Sequence, residues 1–294
     1  MRIRLGTRGS QLALIQAGIV ADRLRAAGHE VEVVRIVTEG DLRPIDMVPG
    51  EGVFVAAIAR ALIAGEVDLA VHSAKDVPLE EEAELVIAAY PERADARDAL
   101  VTREGGASLE TLPIASRVGT DSPRRTGFLR AARPDLGLVP LHGNVDTRLR
   151  RLDGGEVDAL ILAAAGLDRL GRGDRIDQRL DTRVVTPARA QGALAIQARR
   201  SDTDLRRELA AVDDPAVRLA VRAERAVLEA TGGTCRAPVG AFAEVQDGRF
   251  EMVVGGVNSD GSDLHLSITR SAVGEALDAA RQAGLELKQK VALR

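Results

Sequence analysis

Two short patterns occur twice in this chain, in the same order, and the repeat limits the folds open to it. Gly6-Thr7-Arg8-Gly9-Ser10 precedes one periodic apolar stretch, and Gly119-Thr120-Asp121-Ser122 precedes another. Further on, GEVDLAVHS (65–73) is echoed by GEVDALILA (155–163), with a longer intervening segment in the first copy. Around the first copy, strand and helix signals alternate. Residues 3–6 alternate in polarity, Ser10 is a favourable N-cap, and Leu12, Ile15, Ile19 and Leu24 approximate one helical face before Gly28. A β-branched run (31–37), a helix over 53–64 and a buried strand (67–72) follow. This alternation predicts a largely parallel sheet flanked by helices. Its recurrence predicts two similar α/β domains around a cleft.

The carboxyl-terminal part reads differently. A helix over 215–230 leads into Gly232-Gly233-Thr234-Cys235. Alternating strands follow, with Asp247-Gly248 and Asp260-Gly261 as hairpin turns, and a helix over 272–288 closes the chain. This predicts a small α+β domain with an antiparallel sheet.

Composition narrows the function classes. The chain has 294 residues, 45% hydrophobic and 29% charged, enough for two or three cored domains without disulfide support. Its best apolar stretches, 53–65 and 159–167, fall short of the roughly 20 residues of a membrane span, and the first contains Arg60. The start, MRIRLGTRGS, lacks the apolar core of a secretory signal, so a cytoplasmic location is expected. The single cysteine excludes an intrachain disulfide and a CxxC metal site, and no metal is expected. A net charge of −4, no tryptophan, one tyrosine and four phenylalanines argue against a nucleic-acid binder built from a basic field and stacking platforms.

Of the 40 lysines and arginines only Lys75, Lys288 and Lys290 are lysines, so Lys75 is not a generic surface cation here. In Ser122-Pro123-Arg124-Arg125, serine and proline suit a helix start, but two arginines in the first turn oppose the macrodipole. Either both point into solvent, or an anion meets them together with the backbone N–H groups. Thr7, Arg8 and Ser10 repeat that logic at the first helix, and Arg148 and Arg169 follow later strands. Together they would line a cleft with positive charge suited to a polycarboxylate. His72-Ser73-Ala74-Lys75-Asp76-Val77-Pro78 leaves a buried strand, and Asp76 is either a turn residue or a carboxylate paired with Lys75 at a strand's carboxyl end. Cys235 is either an inert small residue or, on its Gly-rich loop, a nucleophile or attachment point.

Taken together, GTRGSQLALIQA, VTEGD, AVHSAKDVP, GTDSPRR, GNVDTRL, ILAAAGLDRLG, AQGALAI, AERA and CRAPVGAFAEV resemble, in order, the porphobilinogen deaminase (hydroxymethylbilane synthase) family. The resemblance implies three domains: 1–92 with 193–210, 98–186, and 215–294, the first two of periplasmic-binding-protein type. It implies a dipyrromethane cofactor joined by thioether to Cys235, and the addition of four porphobilinogen units, with loss of ammonia, to give linear hydroxymethylbilane. It assigns catalysis to Asp76, which would contact pyrrole N–H groups and steady a cationic azafulvene-like intermediate. It assigns cofactor binding to Cys235, Lys75, Ser122, Arg124, Arg125 and Arg148. Substrate binding falls to Arg8, Ser10, Thr120, His142 and Arg169. It also implies a monomer with a small-molecule substrate and neither nucleic-acid nor membrane partners.

The chain departs from the family's pattern in places. Asp121 stands at the second serine of GTSSxRR, and His142 replaces the arginine of LRGN. Glu51 and Ala57 differ from a GKGLFVKE-like segment, Thr234 replaces a glycine beside Cys235, and Ala190 replaces the glycine before Gln191. Asp121 and His142 both lower positive charge where carboxylates are expected. Two rival readings are a diverged relative with weak or altered pyrrole polymerisation, and a non-catalytic carboxylate-binding module. The presence of Cys235, Lys75 and Asp76 together favours chemistry over binding alone.

Overall fold

The computed structural model describes residues 1–37, 53–80, 82–233 and 237–291, so Glu51, Thr234 and Cys235 lie outside the described residues. The chain begins with β1 (Arg2–Arg8), α1 (Gln11–Ala26), β2 (Glu30–Ile36), α2 (Val53–Ile63), β3 (Leu69–Ser73) and β4 (Leu85–Ala89). It continues with β5 (Asp98–Thr102), β6 (Arg117–Gly119), α3 (Pro123–Ala132), β7 (Gly137–Val139), α4 (Val145–Asp153), β8 (Ala159–Ala163), α5 (Ala164–Arg169) and β9 (Gln178–Arg179). It ends with β10 (Leu194–Arg199), α6 (Thr203–Glu208), α7 (Pro215–Thr231), β11 (Val239–Gln246), β12 (Arg249–Gly256), β13 (His265–Ala272) and α8 (Ala276–Lys290). By packing it divides into two units, Met1–Ala94 with Ala193–Arg218, and Asp95–Gly192 with Leu219–Arg294.

The two units contain sheets of one plan. The first runs β2-β1-β3-β10-β4 and the second β7-β6-β8-β5-β9. In each, one strand pairs in parallel with two neighbours: β1 with β2 and β3, and β6 with β7 and β8. In each, a fourth strand is antiparallel on both sides, β10 in the first and β5 in the second. These are the two α/β domains the repeat predicts. The third sheet, β11-β12-β13, is antiparallel and packs with α8 as the small carboxyl-terminal α+β part, within the second unit.

The repeated GEVD acquires a mechanical role. In the first unit Asp68, just before β3, accepts from Nε and Nη2 of Arg4 at 3.1 and 2.7 Å and from the Arg4 backbone N–H at 2.8 Å. In the second, Asp158 accepts from Nε and Nη2 of Arg117 at 3.2 and 2.9 Å and from the Arg117 backbone at 2.8 Å. Each aspartate N–H also returns a bond, to the Arg4 or Arg117 carbonyl, at 2.8 Å. A two-pronged clip thus fixes the amino ends of the parallel strands. The carboxyl ends, where Gly6-Thr7 and Gly119-Thr120 turn toward helices, remain free for other work.

The cores show why these segments take these forms. β3 and β8 are continuous buried runs, as expected of strands covered on both faces. Ile3, Leu5, Val20, Leu24, Leu69 and Ile196 form the first unit's core, and Leu100, Val118, Phe128, Leu129 and Ile161 a core of the second. Three local expectations need correction. The buried face of α1 is Gln16, Ala17, Val20, Ala21 and Leu24, because the small alanines allow close approach to the sheet, while Leu12, Ile15 and Ile19 are only half-buried. The last helix starts at Ala276, since Ala272 is claimed by its ladder pairing with Arg249 and a 3₁₀ turn intervenes. Asp247-Gly248, at φ +50° and +72°, does join β11 to β12 as a two-residue hairpin. Asp260-Gly261 instead lies inside the longer 257–264 connection, closed by bonds among Asn258, Gly261 and Ser262.

Gly119 marks the tightest point of β6. A Cβ there would lie 2.9 Å from Cδ2 of both Leu141 and Leu160, which are fully buried. Gly119→Ala is therefore expected to destabilise the protein by about 1–3 kcal/mol through overpacking. A lower urea midpoint with unchanged m-value would show it.

Candidate active site

In the first unit, the expected residues gather at the carboxyl ends of β1 and β3. Ser10 has extended backbone (φ −68°, ψ 148°), and its side chain caps α1 by accepting from the Ala13 N–H at 3.3 Å. This places Arg8 and Ser10 beside the chain leaving β3, where residues 74–76 form a single 3₁₀ turn carrying Lys75 and Asp76. A pocket of about 100 Å³ is lined by Arg8, Ser10, Gln16, His72, Ser73 and Asp76, among others. Lys75, next to Asp76 in the turn, is not among its lining residues. The pocket floor is tied down by side chains: Gln16 Nε2 donates to Ser73 Oγ at 2.9 Å, and the buried His72 ring meets Gln197 Oε1 at 3.0 Å. Burial pushes the His72 pKa down to about 4, only partly offset by Gln197, so this ring is neutral near pH 7.

The second unit repeats the arrangement with more charge. Thr120 ends the strand segment and is buried; its Oγ1 accepts from the Ser122 N–H at 3.3 Å. Ser122 caps α3 by accepting from the Arg125 N–H at 3.4 Å, with Pro123 in the first turn. Arg124 and Arg125 are buried, which removes the solvent alternative, and an anion does meet them. It belongs to the protein. Asp98, at 0% exposure, accepts from Arg124 Nη2 at 2.7 Å and from Arg125 Nη2 and Nε at 2.7 and 3.0 Å. Gln191 Nε2 adds a bond to the same oxygen at 2.9 Å. Burial alone would raise the Asp98 pKa, but the charges and hydrogen bonds of both arginines outweigh it and hold the carboxyl well below the usual range. Two guanidiniums against one carboxylate leave a surplus positive charge, and the buried Arg124 Nε has no hydrogen-bond partner among the described residues.

The remaining candidates surround this cluster or lie near it in the unit. Arg148 on α4 also has a buried Nε without a partner among the described residues. Burial, with repulsion from Arg125 and Arg151 and partial relief from Asp121, lowers its pKa to about 10. Asn144 caps α4 by accepting from the Thr147 N–H at 2.9 Å, which sets the start of the helix that carries Arg148. Arg169, at the end of α5, donates from Nη2 to the Gly192 carbonyl at 2.7 Å, and burial lowers its pKa. His142 Nδ1 contacts Asp121 Oδ2. The sequence reading missed Asp98 and Gln191. The available hint was an acidic residue opening an otherwise uncharged strand segment, Asp98-Ala99-Leu100-Val101-Thr102, which the structure buries throughout.

Buried guanidiniums at strand carboxyl ends suit carboxylate ligands. Residues 3–207 match the family described as porphobilinogen deaminase, dipyromethane cofactor binding domain, and residues 218–292 match the porphobilinogen deaminase C-terminal domain. The chain belongs to the porphobilinogen deaminase family. A protein named porphobilinogen deaminase from Roseiflexus castenholzii is 46% identical over 96% of this chain and 97% of its own length. One of the same name from Mycobacterium tuberculosis is 47% identical over 97% of this chain and 94% of its own. Among solved structures, the second substrate-binding domain of a putative amino acid ABC transporter from Streptococcus pneumoniae is 16% identical, covers 79% of this chain and 95% of that one, and has a TM-score of 0.46. In this porphobilinogen deaminase family member the paired arginines of GTDSPRR are held by an internal carboxylate.

Asp98→Asn is expected to destabilise the protein by about 3–5 kcal/mol, because it leaves two buried guanidiniums without a counter-charge. The folded pKa of Asp98 is depressed, so the wild-type advantage is complete above the unfolded value of about 4 and declines as pH falls from there toward the folded value. Equilibrium unfolding of both proteins between pH 7 and pH 3 would measure it.

Proposed function

We propose that this chain polymerises four porphobilinogen molecules into linear hydroxymethylbilane, with loss of ammonia, on a dipyrromethane primer held through Cys235. The observation that carries the reading is the family match along nearly the whole chain, whose motif residues include buried guanidinium nitrogens with no hydrogen-bond partner among the described residues. The donor set fits the primer. Arg148 Nε and Arg124 Nε are desolvated cationic donors, and acetate and propionate arms are the anions that would complete them. When bound, the primer supplies the pyrrole carbon on which the product grows.

The chain's own residues then divide the work. Arg124, Arg125 and Arg148 hold carboxylate arms of the primer, with Ser122 donating beside them and Lys75 supplying a further cation. Arg8, Ser10, Thr120, His142 and Arg169 are assigned to the substrate's arms. Asp76, exposed at the pocket's edge, offers an acceptor to a pyrrole N–H and a fixed negative charge to positive charge developing on the ring. His72 is neutral near pH 7 and structurally occupied by Gln197, so the acid–base work is not assigned to it. No helix of the described residues is long and apolar enough to cross a membrane. A cytoplasmic monomer is the working assignment.

Intact mass spectrometry under denaturing conditions tests the attachment. Wild type is expected to exceed its sequence mass by two linked pyrrole units. Cys235→Ser should lack that excess, because a hydroxyl is a far weaker nucleophile than a thiolate. Equal masses, after correction for the substitution, would remove the covalent primer from the proposal. Incubation with porphobilinogen then separates an active enzyme from a diverged relative that carries the primer without extending it. Asp76→Asn is expected to keep the added mass and lose turnover by about 100- to 1,000-fold, the usual scale for removing an electrostatic contact to a charged transition state. More than a tenth of wild-type turnover would contradict the role given to Asp76.

A further inference from the structure

The carboxyl-terminal sheet approaches the paired arginines through a gap in its own side chains. Gly240 of β11 and Gly255 of β12 are directly paired across the ladder, and both face Thr186, which is fully buried. A Cβ on Gly240 would lie 2.6 Å from Thr186 Cβ and closer still to its carbonyl oxygen. A Cβ on Gly255 would lie 2.7 Å from Thr186 Oγ1 and 2.8 Å from Cζ of Phe128, on the helix that carries Arg124. No side chain fits at either position without displacing Thr186. The Thr186 hydroxyl has no hydrogen-bond partner among the described residues, so packing alone seats it. The segment that follows is held through its backbone. The Ala241 N–H donates to the Pro187 carbonyl at 3.0 Å, and Glu224 accepts from the N–H groups of Ala190 and Ala243. Placed in this way, the Thr186 carbonyl accepts from Arg124 Nη1, while Asp98 takes Arg124 Nη2. Both terminal nitrogens of that guanidinium are engaged by the second unit, and its buried Nε is left over.

We propose that Thr186 is a positioning residue for the primer's carboxylate arm, held against Arg124 by the Gly240–Gly255 gap so that Arg124 presents its Nε to the ligand. The guanidinium is planar and rigid, so fixing its two terminal nitrogens also fixes the direction of the third donor. Thr186 acts through Arg124, and the two glycines act through Thr186. The carboxyl-terminal part thereby sets the geometry of a site built on a different sheet, in addition to carrying Cys235. The proposal rests on the function given above for the nature of the ligand.

Citrate binding, measured by calorimetry on full-length protein in a Cys235→Ser background, reads the site without primer or turnover. Arg124→Gln is expected to weaken citrate about ten-fold or more, the scale of one charge-assisted hydrogen bond, and marks the binding that passes through Arg124. Gly240→Ala drives Thr186 off its seat and should weaken citrate by about five-fold or more, as a misplaced binding group does. Gly256→Ala is the control, because its Cβ would meet Leu287 Cδ1 at 2.8 Å and overpacks the same sheet against α8 instead. It should lower the urea midpoint yet leave citrate affinity within about two-fold. Should Gly240→Ala not fold, the Thr186 side chain gives the same test. Thr186→Val keeps the shape and should keep the affinity, whereas Thr186→Gly empties the gap and should weaken citrate by about five-fold or more. The proposal is overturned if citrate does not bind, if Arg124→Gln leaves its binding unchanged, or if Gly240→Ala or Thr186→Gly does so. Equal losses in Gly240→Ala and Gly256→Ala overturn it as well, since that is a general effect of overpacking. If wild type carries no added mass, the primer reading fails, and the same citrate comparison made with Cys235 intact still decides whether Thr186 sets the Arg124 site.

Discussion

The second unit is organised around a buried carboxylate. Asp98 opens β5 at zero exposure and meets two guanidiniums and a carboxamide. Removing such charges from water is costly, and geometry of this quality is what offsets the cost. The same arginines continue outward. Arg125 donates to the Ile161 carbonyl of β8 at 3.1 Å, and Arg124 to the Thr186 carbonyl. One anion therefore joins a strand, a helix start, the neighbouring strand and the loop that carries Gln191. It also explains how α3 can begin with two buried arginines, since their mutual repulsion is bridged while one positive charge remains for an outside ligand.

The ends of the sheets divide structure from function. At the amino ends, Arg4–Asp68 and Arg117–Asp158 form matching clips within their own units. At the carboxyl ends, side-chain caps from Ser10, Ser122 and Asn144 fix where helices start. Those starts set the positions of Arg8, Arg125 and Arg148. Rigid strands with adaptable ends are a general way of building sites, because backbone pairing supplies precision that loops alone do not.

Charge compensation also changes how the unusual residues are understood. Asp121 and His142 look like two independent losses of positive charge in a linear comparison. In the folded chain the acid and the base meet. A subsite's charge is a property of a neighbourhood, and residues 21 positions apart in sequence belong to one neighbourhood here.

Much of this was legible in the sequence by itself. The GT and GEVD repeats determined two α/β domains of one plan. Capping chemistry determined where α1 and α3 begin, and Asp247-Gly248 determined a hairpin. These are local signals, read from side-chain chemistry and spacing over a few residues. The motifs also determined the family. Tertiary structure alone decided which face of α1 is buried, because close packing on the sheet favours Ala17 and Ala21 over larger neighbours. It decided that residue 272 belongs to a strand, because ladder pairing with Arg249 outcompetes helix initiation there. Above all it decided which anion the paired arginines meet. A helix start can show that a counter-charge is needed, but only the strand order that sets β5 beside β8 brings Asp98 to Arg124 and Arg125.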